Sequence, residues 1–173
     1  KDVLIRCATA EKASATSVTS RTASQGWIGS RPSPIQATAS MIQLATTDLA
    51  PAVEGADVIM VATQALTHER VAREIAPHLK ENQAIVLWPG SGGTLIMRKI
   101  WDQMGMDTPV ILAEAVTFPY CCRCLKGPGT VNIHRVDGPN MLLAALPAVD
   151  TPKAIQALEG TYAHVVKPAK SIL

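Results

Sequence analysis

With 173 residues the chain has room for one domain with a sizeable core, and 16 basic against 14 acidic side chains leave a formal charge of +2. That balance gives no reason to expect nucleic acid or an anionic membrane as a partner. Three Trp, two Tyr and one Phe are the whole aromatic complement, so aliphatic side chains must fill the core, which suits a layered α/β fold better than a β-sandwich.

The start, Lys1-Asp2-Val3-Leu4-Ile5-Arg6, carries charge too early for a signal-peptide core, and no run of about 18 apolar residues offers a membrane span. Of the four cysteines, Cys121, Cys122 and Cys124 crowd together and cannot form a disulfide framework with one another; Cys7 is the fourth. Reduced thiols in a cytoplasmic enzyme are the expected state. The chain does not begin with Met, and a fragment is expected.

Residues 3–7 read as a buried strand that opens at once, with no strand and Gly-rich turn before it. Residues 11–40 are Ser, Thr and Ala with scattered Arg, Gln, Gly and Pro and hold no hydrophobic period, so a loop or disordered insertion is expected. A strand at 41–45 leads to an N-cap at Thr47-Asp48 and a short helix closed by Gly55. Residues 57–62 are a continuous apolar strand of the parallel, doubly covered kind. An amphipathic helix over 66–80 follows, with Val71, Ile75 and Leu79 at four-residue spacing.

A buried strand at 84–88 then meets the turn Pro89-Gly90-Ser91-Gly92-Gly93 and a helix over 94–104, and a further strand covers 110–113. Alternating strands and helices imply crossover connections and one parallel sheet holding the strands at 3–7, 41–45, 57–62, 84–88 and 110–113, with helices on both faces. Past Gly129, residues 131–136 and 141–146 flank Asp137-Gly138-Pro139-Asn140 and read as an added antiparallel pair. A helix capped by Thr151 and a last strand at 164–166 complete the chain.

Chemistry concentrates behind the strand at 110–113, where Glu114, Thr117, Pro119, Tyr120, Cys122 and Arg123 follow one another. A core strand needs none of these, whereas the carboxyl end of a parallel strand is where open α/β sheets place ligands. The Gly-rich turn at 89–93 serves either plain topology or close approach of a cofactor to helix-start amides. His68 reads as a capping or packing histidine, or as a side chain favouring a negative group, although a helix N-terminus prefers a neutral imidazole. The cysteine cluster lacks the second ligand pair that zinc requires, and His134 stands without a partner in the sequence, so no metal is expected. Cys122 is either a small buried hydrophobe or a side chain facing substrate.

These residues fit the run A-E-T-x-T-L-P-Y-x-C-R of the opine (octopine/nopaline) dehydrogenase family, followed by Gly127-Pro128-Gly129, and the resemblance extends more loosely from about Thr46 to Leu173. It implies a Rossmann-like NAD(P)-binding domain over 1–173 that lacks its first strand and Gly-rich turn, with the pyrophosphate-binding turn upstream of residue 1 and the helical catalytic domain absent. Residues 3–7 would then be the second strand of the sheet, and Arg6, at a place where an acid would bond the ribose of NAD, leans to NADP. The family's Asn-Pro-Gly segment beside the nicotinamide corresponds to Trp88-Pro89-Gly90, where Trp replaces the Asn.

The resemblance implies an oxidoreductase that reduces the imine of an amino acid and a 2-oxo acid with NAD or NADP as cofactor. Arg6, Ala62, Thr63, Pro89, Gly90, Gly92 and Glu114 would meet the cofactor, and Thr117, Cys122 and Arg123 the substrate. No catalytic acid or base is expected within this chain, nor a nucleic-acid or membrane partner. Other members of the superfamily, such as glycerol-3-phosphate or ketopantoate reductases, share the strand rhythm, and an inactive structural or cofactor-binding remnant is the reading from another class.

Overall fold

A computed structural model describes residues 4–8, 41–124, 131–136, 140–159 and 166–172. The expected loop at 11–40 and the Gly127-Pro128-Gly129 segment lie outside the described residues. In chain order the elements are β1 (Leu4–Ala8), β2 (Met41–Thr46), α1 (Leu49–Val53), β3 (Val58–Val61), α2 (His68–Ile75), β4 (Ala84–Leu87), α3 (Gly93–Gln103), β5 (Ile111–Ala115), β6 (Tyr120–Cys124), β7 (Val131–Val136), β8 (Met141–Ala145), α4 (Thr151–Ala157) and β9 (Val166–Pro168). Among the described residues no helix is long and apolar enough to cross a membrane.

The main sheet has the order β3-β4-β5-β8-β9. Its heart is the parallel trio β3, β4 and β5, with Val61, Leu87 and Glu114 in register across the three strands. All four side chains of β4 are fully buried, and Ile85, Val86 and Leu87 divide between two cores. Ile85 and Leu87 point into a core with Val61, Ala72, Ile75, Met97 and Trp101, under α2 and α3. Val86 points the other way, into a core with Ala113, Leu143, Ala154 and Leu158, under α4. This alternation follows from the two-residue period of a strand. It explains why the sequence here is apolar without a break: helices cover both faces, and each buried aliphatic contributes roughly 1.5–3 kcal/mol.

Two polar contacts fix the layers. The Trp101 indole N–H donates to the Ala72 carbonyl at 2.9 Å and ties α3 to α2. The buried Gln83 donates from Nε2 to the carbonyls of Ala56 at 2.7 Å and Val53 at 3.2 Å, while its Oε1 accepts from Lys80 N at 2.8 Å. The loop entering β4 is thereby fastened to the end of α1.

Several expectations are corrected. The strands at 3–7 and 41–45 do not join the parallel sheet: β1 and β2 pair with each other, antiparallel, as a separate two-stranded sheet. Parallel pairing needs a crossover, usually a helix, and residues 9–40 contain no helical period that could supply one. The strands at 131–136 and 141–146 do not pair together either. β7 pairs antiparallel with β6, and β8 pairs antiparallel with β5. β6 went unread because its side chains looked like a ligand-binding run; it nevertheless offers the ladder partner from which a short connection leads to β7.

The main sheet is therefore mixed, mostly parallel with the one antiparallel pairing of β5 and β8. The expected helix over 66–80 is broken into α2 flanked by single 3₁₀ turns, Ala65–Thr67 and Ala76–His78, the second containing Pro77. Asp48, at the N-cap of α1, makes no side-chain cap bond; its own N–H donates to Thr46 Oγ1 at 3.0 Å. The last strand begins at Val166, and residues 164–165 lie outside the described residues.

Candidate functional site at the strand carboxyl ends

The parallel trio ends in line, so the residues after Val61, Leu87 and Ala115 share one rim. Backbone bonds hold the rim: Trp88 N–H donates to the Val61 carbonyl at 2.8 Å, Gly90 N–H to Ala115 at 2.9 Å, and Gly93 N–H to Gly90 at 2.8 Å. The Pro89–Gly93 turn is therefore fastened to both neighbouring strands before it opens into α3.

Glu114 completes this arrangement. It alternates with Ala113 and Ala115, so its side chain emerges on the α3 face of the sheet and is 9% exposed. Its Oε1 accepts from Gly92 N at 3.1 Å, and its Oε2 accepts from Thr94 N at 3.0 Å and Thr94 Oγ1 at 2.8 Å. Gly92 sits at the N-cap of α3 and has no side chain with which to cap it, so a carboxylate from the adjacent strand satisfies the helix start instead. Negative charge is favoured there by the helix dipole. Gly90 can only be glycine, because a β-carbon on it would run into the Glu114 side chain.

His68, the first residue of α2, is fully buried. Its ring lies against the start of α3: a β-carbon on Gly93 would collide with His68 Nδ1 and with the Leu87 side chain. Burial pushes the imidazole pKa down from its ordinary value, while the Glu114 carboxylate and the Thr63 backbone act to raise it. The Thr63 backbone approaches the ring, but neither ring nitrogen completes a hydrogen bond, and Thr63 Oγ1 is also buried without a partner. A neutral imidazole held between two helix starts is the consequence.

Beside the α3 start, on the same face, a groove of about 650 Å³ opens over β5, β8 and the segment after β9. Ser91, Gly92, Glu114, Leu142, Pro168 and Lys170 are among the residues that line it. Exposed Val116 and Leu142 give it an apolar floor. Of the residues singled out in the sequence, Gly92 and Glu114 line this groove. Pro89 is half-buried and Gly90 buried beneath Glu114, while Ala62 is exposed and Thr63 half-buried on the rim at the end of β3. Thr117 is half-buried in the bend after β5 and does not line the groove. For Arg6, Cys122 and Arg123 the structure describes the backbone alone; Cys122 lies opposite Ile133, and Arg123 opposite Asn132.

Sequence reasoning missed Ser91, Leu142, Pro168 and Lys170. Ser91 was visible inside the Gly-rich turn and carries a positive φ of 51°. The others arrive through the β5–β8 and β8–β9 pairings, which no local pattern announces.

The geometry limits the chemistry. The amides at the α3 start already face a carboxylate, so this corner does not offer them to a phosphate, and it suits a neutral or cationic group.

No family model matches the chain. An opine dehydrogenase from Arthrobacter sp. (strain 1C) is 38% identical over 117 residues, which is 67% of this chain and 31% of that protein. Solved structures of octopine dehydrogenase with NADH and L-arginine, and with NADH and pyruvate, align with TM-scores of 0.59 and 0.57 at 22% identity. They cover 77% of this chain and 34% and 35% of theirs. At that identity the structural likeness speaks to the fold alone. The chain spans about a third of the length of these relatives. Over the stretch it shares with them, the chain belongs to the opine dehydrogenase family.

Proposed function

We propose that this chain forms the cofactor-facing part of an oxidoreductase whose whole form reduces the imine of an amino acid and a 2-oxo acid. The observation that carries the reading is the meeting of Glu114 and the Pro89–Gly93 turn at the carboxyl ends of adjacent parallel strands. NADH or NADPH would supply the hydride when bound.

The groove fits the nicotinamide end of such a cofactor better than its phosphates. Glu114 fills the anion position at α3 and presents a carboxylate suited to an uncharged ring amide or to the positive ring of the oxidised form. Ser91 and Lys170 add polar groups at the edge, and Val116 and Leu142 present apolar surface on the floor. Ala62 and Thr63 belong, in this reading, to the ribose side; Arg6 lies on β1, which pairs outside the parallel sheet, and loses the strand-end position that suggested it. Thr117, Cys122 and Arg123 follow Glu114 closely and would hold the carboxylate and oxo group of the substrate, a task for which a guanidinium fork is matched. The general acid and base are contributed from outside these residues.

The test is steady-state kinetics of the full-length enzyme with oxo acid and dinucleotide varied separately. Arg123→Lys keeps the charge and loses the fork, so the oxo-acid specificity constant should fall by about 1–3 kcal/mol in free-energy terms while dinucleotide affinity hardly moves. An unchanged oxo-acid constant would make Arg123 a surface charge and remove the substrate assignment. Calorimetric titration of the chain with NADH and NADPH separates the two cofactors; weak or absent binding is expected if the pyrophosphate amides lie elsewhere.

A further inference from the structure

The two oxygens of the Glu114 carboxylate are not equivalent. Oε2 accepts two hydrogen bonds from one residue, Thr94, whose N–H donates at 3.0 Å and whose Oγ1 donates at 2.8 Å. Oε1 accepts one among the described residues, from Gly92 N at 3.1 Å. Each carboxylate oxygen has room for two donors, so Oε2 is saturated and Oε1 keeps one place. The donors also differ in where they stand. Thr94, the second residue of α3, is fully buried and does not line the groove, whereas Gly92 is half-buried and does. Oε2 therefore faces the interior and Oε1 the groove. The stem of Glu114 lies so close over Gly90 that a β-carbon there would collide with it, which restrains the carboxylate from swinging aside.

We infer that Thr94 is a positioning residue that decides which face of Glu114 meets a ligand, and that the oxygen it leaves free reads an N–H donor, the carboxamide of the nicotinamide ring. Two donors on Thr94 demand an acceptor on the interior side. What remains towards the groove is an ionised oxygen with no donor of its own, which attracts an N–H and offers nothing to a carbonyl. The inference rests on the dinucleotide reading above and names the group of the cofactor that Glu114 recognises. Thr94 touches no ligand in this account; it acts through Glu114.

Equilibrium binding to the full-length protein tests it, followed by the fluorescence of the reduced dinucleotide or by calorimetry. The probes are NADH and its 3-acetylpyridine counterpart, in which a methyl group replaces the carboxamide nitrogen while the carbonyl is kept. The wild type should prefer NADH by about tenfold, the scale of one hydrogen bond to a charged acceptor. In Thr94→Val the preference should fall towards one, and Thr94→Ser, which restores the hydroxyl, should return it. Glu114→Gln should also abolish the preference, because the Thr94 donors hold the amide oxygen and turn the amide nitrogen to the groove. A merely structural Thr94 would weaken both dinucleotides alike and leave their ratio unchanged. Should Thr94→Val fail to fold, Thr94→Ala is read by the same ratio. Equal affinities in the wild type, or an undiminished preference in either Thr94 variant, overturn the inference even if the enzyme reduces imines as proposed. A protein that shows the preference but reduces no imine overturns the proposed reaction and leaves the inference standing.

Discussion

At the amino end of β4 the buried Gln83 has each polar atom matched by backbone, whereas at the carboxyl end the buried His68 has neither ring nitrogen matched. Both side chains are buried, Gln83 against the end of α1 and His68 against the start of α3. Their difference separates scaffold from site: a polar side chain with every atom bonded fastens one arrangement, whereas a buried ring without hydrogen bonds fixes the rim by packing alone.

The largest effect expected from testing this comparison is at Gly93. Gly93→Ala forces a β-carbon into His68 and Leu87 and should cost about 3 kcal/mol or more by urea denaturation. Gly105→Ala, where nothing lies within 4 Å but φ is +66°, should cost about 1 kcal/mol. Equal losses would mean that the α3 start is not tightly packed.

At the amino end, Gln83→Leu strands two carbonyls and an amide and should destabilise by about 2 kcal/mol, with the same value at pH 5 and pH 8. Glu114→Gln keeps an acceptor for α3 but loses the charge, so a cost of about 1 kcal/mol is expected at pH 8. With the carboxylate gone, the His68 pKa should fall further, because the main influence raising it has been removed.

The pH dependence has a definite sign. The folded-state pKa of His68 lies below the unfolded value of about 6.5, so at falling pH the unfolded chain takes up its proton first. The His68 contribution is therefore flat above about pH 7 and destabilises progressively from about pH 6.5 down to the folded pKa. Comparing urea midpoints with His68→Phe across that window isolates it; parallel curves would mean that His68 titrates alike in both states. The smallest effect belongs to the exposed pairs Arg70–Glu74 and Arg73–Glu69 on α2, where replacing either Arg with Gln should change stability by less than about 0.5 kcal/mol.

What could be read in the sequence follows from locality. β3, β4 and β5 were legible because a strand covered on both faces needs apolar residues without a break, and α3 because Gly-rich punctuation precedes it. The pairings of β1 with β2, β6 with β7 and β5 with β8 were not, because strand composition does not encode direction or partner. Glu114 was recognisable as an acid just behind a buried strand, which in the structure extends to Ala115, and the family run drew attention to its ligand side. Its bonds to Gly92 and Thr94 run from a strand to the start of a helix some twenty residues earlier and have no local signature. His68 looked like a helix-start residue, and its complete burial depends on Gly93 being small enough to admit the ring.

The non-local cap of α3 also bears on the order in which the chain can become structured. The acceptor for Gly92 and Thr94 is supplied by a residue that follows the whole of α3 in the sequence. During synthesis from the amino end, α3 therefore emerges with its first turn uncapped and acquires its carboxylate only when β5 docks beside β4. Helix completion and strand addition become one event at this rim, so a nascent chain halted before Glu114 should show α3 frayed at Gly93 and Thr94 even with β3 and β4 in place.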